Sequence, residues 1–175
     1  MLNSYDSNFF GSHSFFGREL IPCIEKVGHR LISANTAYEH QDSLEYLYIF
    51  DGRGHINING VNYAIQRGSC LALMNFQLYR FLPEPTRALQ ISYCRMKGGA
   101  MYAFWSSPYY QPPDFQKSHN KTSQVWNFPD KQLDEIEQLW RTIYDCQFQT
   151  DAYTKQKQLY ILMEYLGYFH RLCYQ

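Results

Sequence analysis

Between Leu44 and Cys94 the chain is cut into short apolar segments by turn residues at nearly even intervals. Such a pattern leaves little choice but a layered or closed β-structure. Leu44–Phe50, rich in aliphatic and aromatic residues, stops at Asp51-Gly52-Arg53-Gly54, and an Asp-Gly pair after an apolar run marks a turn. His55–Asn59 alternates polar and apolar, the mark of a half-buried strand. Gly60 turns the chain into Val61–Ile65, Arg67-Gly68 leads into Cys70–Met74, and Pro83-Glu84-Pro85 breaks it before Leu89–Cys94. Strands repeating every ~8–12 residues with turn chemistry between them predict an all-β barrel or sandwich, here spanning about Leu20 to Met96.

From Pro129 the period becomes helical. Leu133, Ile136, Leu139, Trp140 and Ile143 fall on one face, Asp130 is placed to cap, and Asp134, Glu135 and Glu137 sit near the positive end. A second helix is predicted from about Asp151 to Leu172, with two apolar stripes. One is Leu159, Leu162, Met163, Leu166 and Phe169; the other is Ile161, Tyr165, Tyr168 and Leu172. Packing on a single layer needs only one stripe. A partner subunit is the economical cover for the second, and burial on both sides within one monomer is the alternative. Gly98 to Ser123 reads as a connection with a short helix around Ala100 to Trp105. The expected organisation is therefore an arm at 1–19, a barrel at 20–97, a connector at 98–128 and helices at 129–175.

Charge and cysteine usage narrow the class. Sixteen Lys plus Arg balance sixteen Asp plus Glu, so the net charge is zero. A free-standing nucleic-acid binder would carry a basic excess, and a disordered charged tail would lack the 18% of aromatic residues. Those rings need a core, a ligand or a partner to cover them. The five cysteines (Cys23, Cys70, Cys94, Cys146 and Cys173) are scattered and odd in number, neither a disulfide framework nor a metal site. Buried, reduced thiols in a cytoplasmic protein are expected. No signal peptide is legible, and no apolar run approaches the ~18 residues of a membrane span.

Four features together resemble a cupin barrel, and specifically the N-terminal effector domain of AraC-type transcription regulators of bacteria. His40 is followed five positions later by Glu45, and Glu45 seven later by Gly52, as in the back half of the first cupin motif. Gly52-Arg53-Gly54-His55 with its hairpin matches the family's glycine turn. Gly68 precedes an apolar strand, as the family's glycine does. Tyr79-Arg80-Phe81 stands where the second motif ends in a histidine. The helix pair matches the family's dimerisation helices. The resemblance implies a mainly β fold with C-terminal helices, a cupin-like double-stranded β-helix (jelly-roll) barrel followed by an antiparallel helix pair.

The departures from that pattern bear on chemistry. A metal cupin offers two His and a Glu from the first motif and a His from the second; here Tyr38 and Tyr79 occupy two of those positions. Neutral Tyr, with a pKa of about 10, is a poor ligand, and a transition metal wants three or more short-range donors. No bound metal and no cofactor are expected, and His29, His55 and His119 have no spacing that repairs the site.

In a barrel alternate side chains point inward. With Glu45 in the lumen, as in related cupins, Leu47 and Ile49 follow, and the same alternation sends Tyr38 with His40, Tyr79 with Phe81, and Leu89 with Ile91 inward. A few polar groups among apolar walls are the usual makeup of a small-molecule site, suited to a sugar ring, an acyl chain or an aromatic acid. Alternatively, these residues simply fill a small barrel, with His40 and Glu45 hydrogen-bonded to each other. Phe9, Phe10 and His13 belong to an aromatic segment that is either an arm over the barrel mouth or its first strand.

The resemblance implies a non-enzymatic sensor that binds an effector and forms a homodimer through Trp140, Ile161, Tyr165, Tyr168 and Leu172. It would contact DNA only through a helix-turn-helix domain absent from these 175 residues, and no membrane. The competing classes are a cupin enzyme, an isomerase or dioxygenase, which needs the missing metal site or a His40/Glu45 acid–base pair, and a sugar-binding module without signalling.

Overall fold

The computed structural model describes residues 14–15, 18–19, 24–40, 43–73, 77–96 and 125–173. The arm residues Phe9, Phe10 and His13, and the short helix expected around Ala100, lie outside them. Strands β1 (Ser14–Phe15) and β2 (Arg18–Glu19) pair with each other. The next eight strands are β3 (Ile24–Ile32), β4 (Leu44–Asp51), β5 (Arg53–Ile58), β6 (Val61–Gln66), β7 (Ser69–Leu73), β8 (Tyr79–Pro83), β9 (Leu89–Met96) and β10 (Trp126–Asn127). They form a five-stranded sheet, ordered β10-β7-β4-β9-β3, and a three-stranded sheet, ordered β6-β5-β8. Every pairing is antiparallel.

The turns are where the glycines placed them. Gly52 alone joins β4 to β5, carrying the chain from one sheet to the other at φ +89°. Asn59-Gly60, with φ of 48° and 89°, closes the β5–β6 hairpin as two left-handed residues, the turn that suits the twist of paired strands. The end of the expected connector is itself structural, because β10 completes one edge of the large sheet by pairing with β7.

Alternation on β4 divides the interior in two. Leu44, Tyr46 and Tyr48 face one side, where they join Val27, Cys70, Ala72, Cys94 and Met96 in a cluster with the helices. Leu47 and Ile49 face the other side, joining Ile56, Ile58, Leu71, Leu73, Phe81, Leu89 and Ile91 between the two sheets. Continuous apolar character along Tyr46–Phe50 thus reflects a strand covered on both faces. Cys70, Cys94 and Cys146 are buried and form no disulfide.

Helix α1 spans Asp130–Asp145, a short 3-10 turn follows at Cys146–Phe148, and helix α2 spans Ala152–Cys173. Asp130 does not cap α1. Pro129 holds the capping position, its carbonyl accepting from the Gln132 amide at 2.8 Å, and Asp130 is the first helical residue. Asp151 caps α2, accepting from the Thr154 amide at 2.8 Å, and that bond holds its carboxyl below the usual range. Gln158 donates to the Ile143 carbonyl and Tyr168 to Glu135, so α2 runs back antiparallel to α1.

The two stripes of α2 merge into one buried face, Thr154, Gln158, Leu162, Tyr165, Leu166 and Phe169. This corrects the expected dimer surface. Trp140 and Tyr165 are both fully buried within the monomer, against the outer face of the large sheet, and are not available to a partner. There Tyr48 stacks on Trp140, and Trp140 meets Tyr165 edge-on. Ile161, Tyr168 and Leu172 remain half-exposed along one flank. The chain is mainly β with C-terminal helices: a cupin-like barrel of two facing sheets, followed by a helix pair on the outer face of one of them. Among the described residues no helix is long and apolar enough to cross a membrane.

Candidate functional site

The polar groups of the barrel gather at one end of the space between the sheets. Glu45 stands on β4, inward of Leu47 and Ile49, and is fully buried. One carboxylate oxygen accepts a hydrogen bond from the Tyr79 hydroxyl of β8 at 3.1 Å. The other lies 3.5 Å from Arg95 Nε on β9, within ion-pair reach, yet neither atom completes a hydrogen bond. Burial pushes the Glu45 carboxyl above its ordinary range, and Arg95, Tyr79 and Arg30 pull only part of the way back. Arg95 carries its guanidinium over the Tyr93 ring, 5.3 Å from the centroid. Tyr93 faces Gly28 across the β3–β9 pair, and any methyl on Gly28 would meet its hydroxyl at 2.5 Å. Bare backbone at Gly28 is what admits the ring.

A second pair closes the same end. Arg30 of β3 donates to both oxygens of Glu39, at 2.9 and 2.6 Å, tying the segment after β3 across the barrel. That segment also bonds β8, with Glu39 and Tyr79 exchanging backbone hydrogen bonds at 2.7 and 2.9 Å.

Those bonds set the parity of Tyr38 and His40. Both were expected in the lumen, and both are exposed. Glu39 is the residue that turns toward the barrel, so its neighbours turn away, a one-residue slip that reverses every side chain. Tyr38 lies on the outer surface, its hydroxyl donating to Asn57 at 3.2 Å and its ring under Arg80. No His40–Glu45 hydrogen bond exists, and an acid–base pair of these two is not assembled. The other expected lumen residues, Glu45, Leu47, Tyr79, Phe81, Leu89 and Ile91, do gather between the sheets.

Arg30, Glu39, Tyr93 and Arg95 were missed. Carrying the Leu89, Ile91 alternation two steps further would have found Tyr93 and Arg95. Nothing in the sequence announces the Arg30–Glu39 pair, because it spans an irregular stretch.

The donor set does not fit the metal of a cupin enzyme. Glu45 is the one carboxylate buried there, its neighbours are a phenol and a guanidinium, and a cation would have to displace Arg95. Among the described residues no three His, Cys, Asp or Glu side chains gather in a metal-binding group.

The raised Glu45 pKa predicts a pH-dependent effect of Glu45→Gln. A group whose folded pKa lies above its unfolded value gives stability below the unfolded pKa and loses it as pH rises through the folded one. The gain of the Gln variant over the native chain should therefore be small near pH 4 and grow toward pH 8, read by urea unfolding at both. A gain that shrinks as pH rises would show that Arg95 outweighs burial.

No family model matches the chain, and no curated protein matches it. Solved structures with a similar layout include a cupin protein from Bacteroides fragilis, 18% identical, TM-score 0.37, covering 42% of this chain and 64% of that one. Two others are the cupin domain of Cnp3 from Schizosaccharomyces pombe, 11% identical, TM-score 0.36, covering 39% and 51%, and a predicted oxalate decarboxylase from Thermotoga maritima, 14% identical, TM-score 0.37, covering 42% and 66%. The chain thus spans between about half and two-thirds of each of these structures. At such scores the strand order, not the likeness, carries the fold assignment.

Proposed function

We propose that this chain is the sensor and dimerisation part of an AraC-type transcription regulator, binding a small effector between its sheets and relaying occupancy to a DNA-binding domain. The observation that carries the reading is the double duty of β4 and β9. On β4, Glu45, Leu47 and Ile49 face the interior between the two sheets, while Leu44, Tyr46 and Tyr48 pack under the helices. On β9, Leu89, Ile91 and Tyr93 alternate with Cys94 and Met96 in the same way. A ligand that shifts either strand must repack the layer beneath α1 and α2, since cores at this density transmit strain. Effector binding would then favour one arrangement of the helices, a coupling free energy between two sites.

Dimerisation in this reading uses the flank left half-exposed, Ile161, Tyr168 and Leu172, in place of Trp140 and Tyr165. The charge balance agrees with it, because a neutral chain leaves phosphate contacts to another domain. A metal-free cupin enzyme is the competing reading, supported by the Glu45–Tyr79 hydrogen bond as a proton-transfer pair. The coding sequence beyond Gln175 and the mass of the chain in solution test the first reading. Two basic helix-turn-helix patterns downstream and a dimer by sedimentation are expected. A stop codon directly after Gln175 would overturn it.

A further inference from the structure

The three-stranded sheet leaves one edge open. Proteins blunt their sheet edges with charges, bulges, short strands or covering segments, because a bare edge is a template for another strand. Three of the four edges of the two main sheets follow that rule. β3 carries Glu25, Lys26, His29 and Arg30 and a register shift between Ile24 and Lys26. β10 is only two residues long. β8 is covered by the segment after β3, through the Thr36 amide to the Phe81 carbonyl at 3.0 Å and the paired bonds of Glu39 with Tyr79. β6 has none of these devices. Val61-Asn62-Tyr63-Ala64-Ile65-Gln66 contains no charge and no proline, and its pairing with β5 runs without a shift.

The backbone along that edge is free at defined places. Ile58 and Val61 close the two-residue hairpin turn, so Val61, Tyr63 and Ile65 direct their amides and carbonyls to β5. The alternate residues of β5 turn to β8, where the Arg53 carbonyl accepts from the Glu84 amide at 3.0 Å. Asn62, Ala64 and Gln66 therefore point their main chain outward. The Gln66 amide donates to Ser69 Oγ at 2.9 Å. Among the described residues nothing bonds the main chain of Asn62 or Ala64. The side chains of Val61, Asn62 and Ala64 are exposed beside these groups, and Tyr63 is half-buried.

We propose that β6 pairs antiparallel with β6 of a second copy of this chain, about a two-fold axis through Tyr63. The strand is complementary to itself in that register, which is what selects a second copy as the occupant. An axis perpendicular to the sheet keeps every side chain on its own face. Asn62 then lies opposite Ala64 of the second copy, and Ala64 opposite its Asn62. Each pair exchanges both of its backbone bonds, so every free main-chain group of Asn62 and Ala64 is used. On the other face Val61 meets Ile65 and Tyr63 meets Tyr63, apolar and aromatic pairs of the kind that stabilise neighbouring strands. No like charges are opposed, since Arg67, the next charge along the chain, falls opposite Asn59. The two small sheets become one continuous sheet. This contact goes beyond the regulator reading and does not depend on it. It lies on the small sheet, whereas the helices cover the outer face of the large one, so it joins chains by a surface separate from the flank of α2.

A cysteine on the axis tests the register. Residues there form a non-hydrogen-bonded pair with Cα atoms about 4.5 Å apart, within the ~4.4–6.8 Å that a disulfide spans. With oxidised glutathione as the oxidant and the chain at high concentration, a non-reducing gel should show Tyr63→Cys as a cross-linked dimer. The native chain, with its five cysteines, sets the background. Val61→Cys, which meets Ile65 and not itself, should stay at that background. Hydrogen exchange of the native chain gives a second reading that needs no variant. The Asn62 and Ala64 amides should exchange freely in dilute solution and gain protection as concentration rises, as mass action requires. Circular dichroism verifies the folding of each variant, and if Tyr63→Cys does not fold, the exchange result decides. The proposal is overturned by Tyr63→Cys at background, by equal cross-linking of both cysteine variants, or by protection of Asn62 and Ala64 that does not change with concentration. A stop codon after Gln175 would remove the regulator reading and leave this contact untouched.

Discussion

Replacing Trp140 with alanine should lower the unfolding free energy by about 3–5 kcal/mol, a large share of the ~5–15 kcal/mol typical of a domain. Trp140 is fully buried, and it joins α1 to both the sheet and α2. Its ring lies parallel to Tyr48 of the sheet at 6.3 Å and edge-on to Tyr165 of α2 at 4.9 Å. Removing it opens a cavity against strand β4 on one side and α2 on the other, neither of which can collapse inward without leaving its own partners. The ring's contacts here are aromatic, so the loss is chiefly one of packing. Urea unfolding followed by circular dichroism measures it. The same experiment separates core from interface: a core residue destabilises the chain equally at every protein concentration, whereas a dimer contact gives a loss that changes with concentration. A loss below about 1 kcal/mol, outside the range for buried Trp, would mean that the helix pair is not fastened to the sheet through this residue.

That placement shows which kinds of information the sequence carries. Period-two alternation within a strand is local, and it put Glu45, Leu47 and Ile49 on one face of β4 without knowledge of the partner strands. Turn chemistry is local too, and Gly52, Gly60 and Gly68 all fall between strands at positive φ. Parity outside a regular strand is not local. Tyr38 and His40 face outward because the backbone of Glu39 pairs with Tyr79, forty positions away, and no residue near Tyr38 announces that bond. Depth on a helix is not local either. The stripe containing Tyr165 looked free because α2 alone cannot reveal where the sheet and α1 cover it. Arg95 was hidden for another reason. A charge at the end of an apolar strand reads as a solvated terminus unless its alternation is followed to the last residue.

Gly52→Ala and Gly60→Ala should differ by more than their shared backbone angle allows. Both glycines sit at φ +89°, where any L side chain is strained by about 1–2 kcal/mol. Gly60 has nothing within 4 Å of where its methyl would stand, so that strain is the whole expected cost. At Gly52 the methyl would lie 2.3 Å from the Ala88 carbonyl oxygen and 3.0 Å from Leu89 Cα, both main chain. Main chain cannot swing aside as a side chain does, so an overpacking term of about 1–3 kcal/mol adds to the strain. The neighbouring turn is held as well, because Arg87 binds Asp51 and its amide bonds the Glu84 carbonyl at 3.2 Å. Urea unfolding of the two variants should therefore place Gly52→Ala lower by that second amount. The displacement would reach β4 and β9 together, since Asp51 pairs with Gln90 beside this contact. Equal losses would show that the turn from Glu84 to Ala88 moves freely, and the corner between the sheets would then be set by the φ of Gly52 alone.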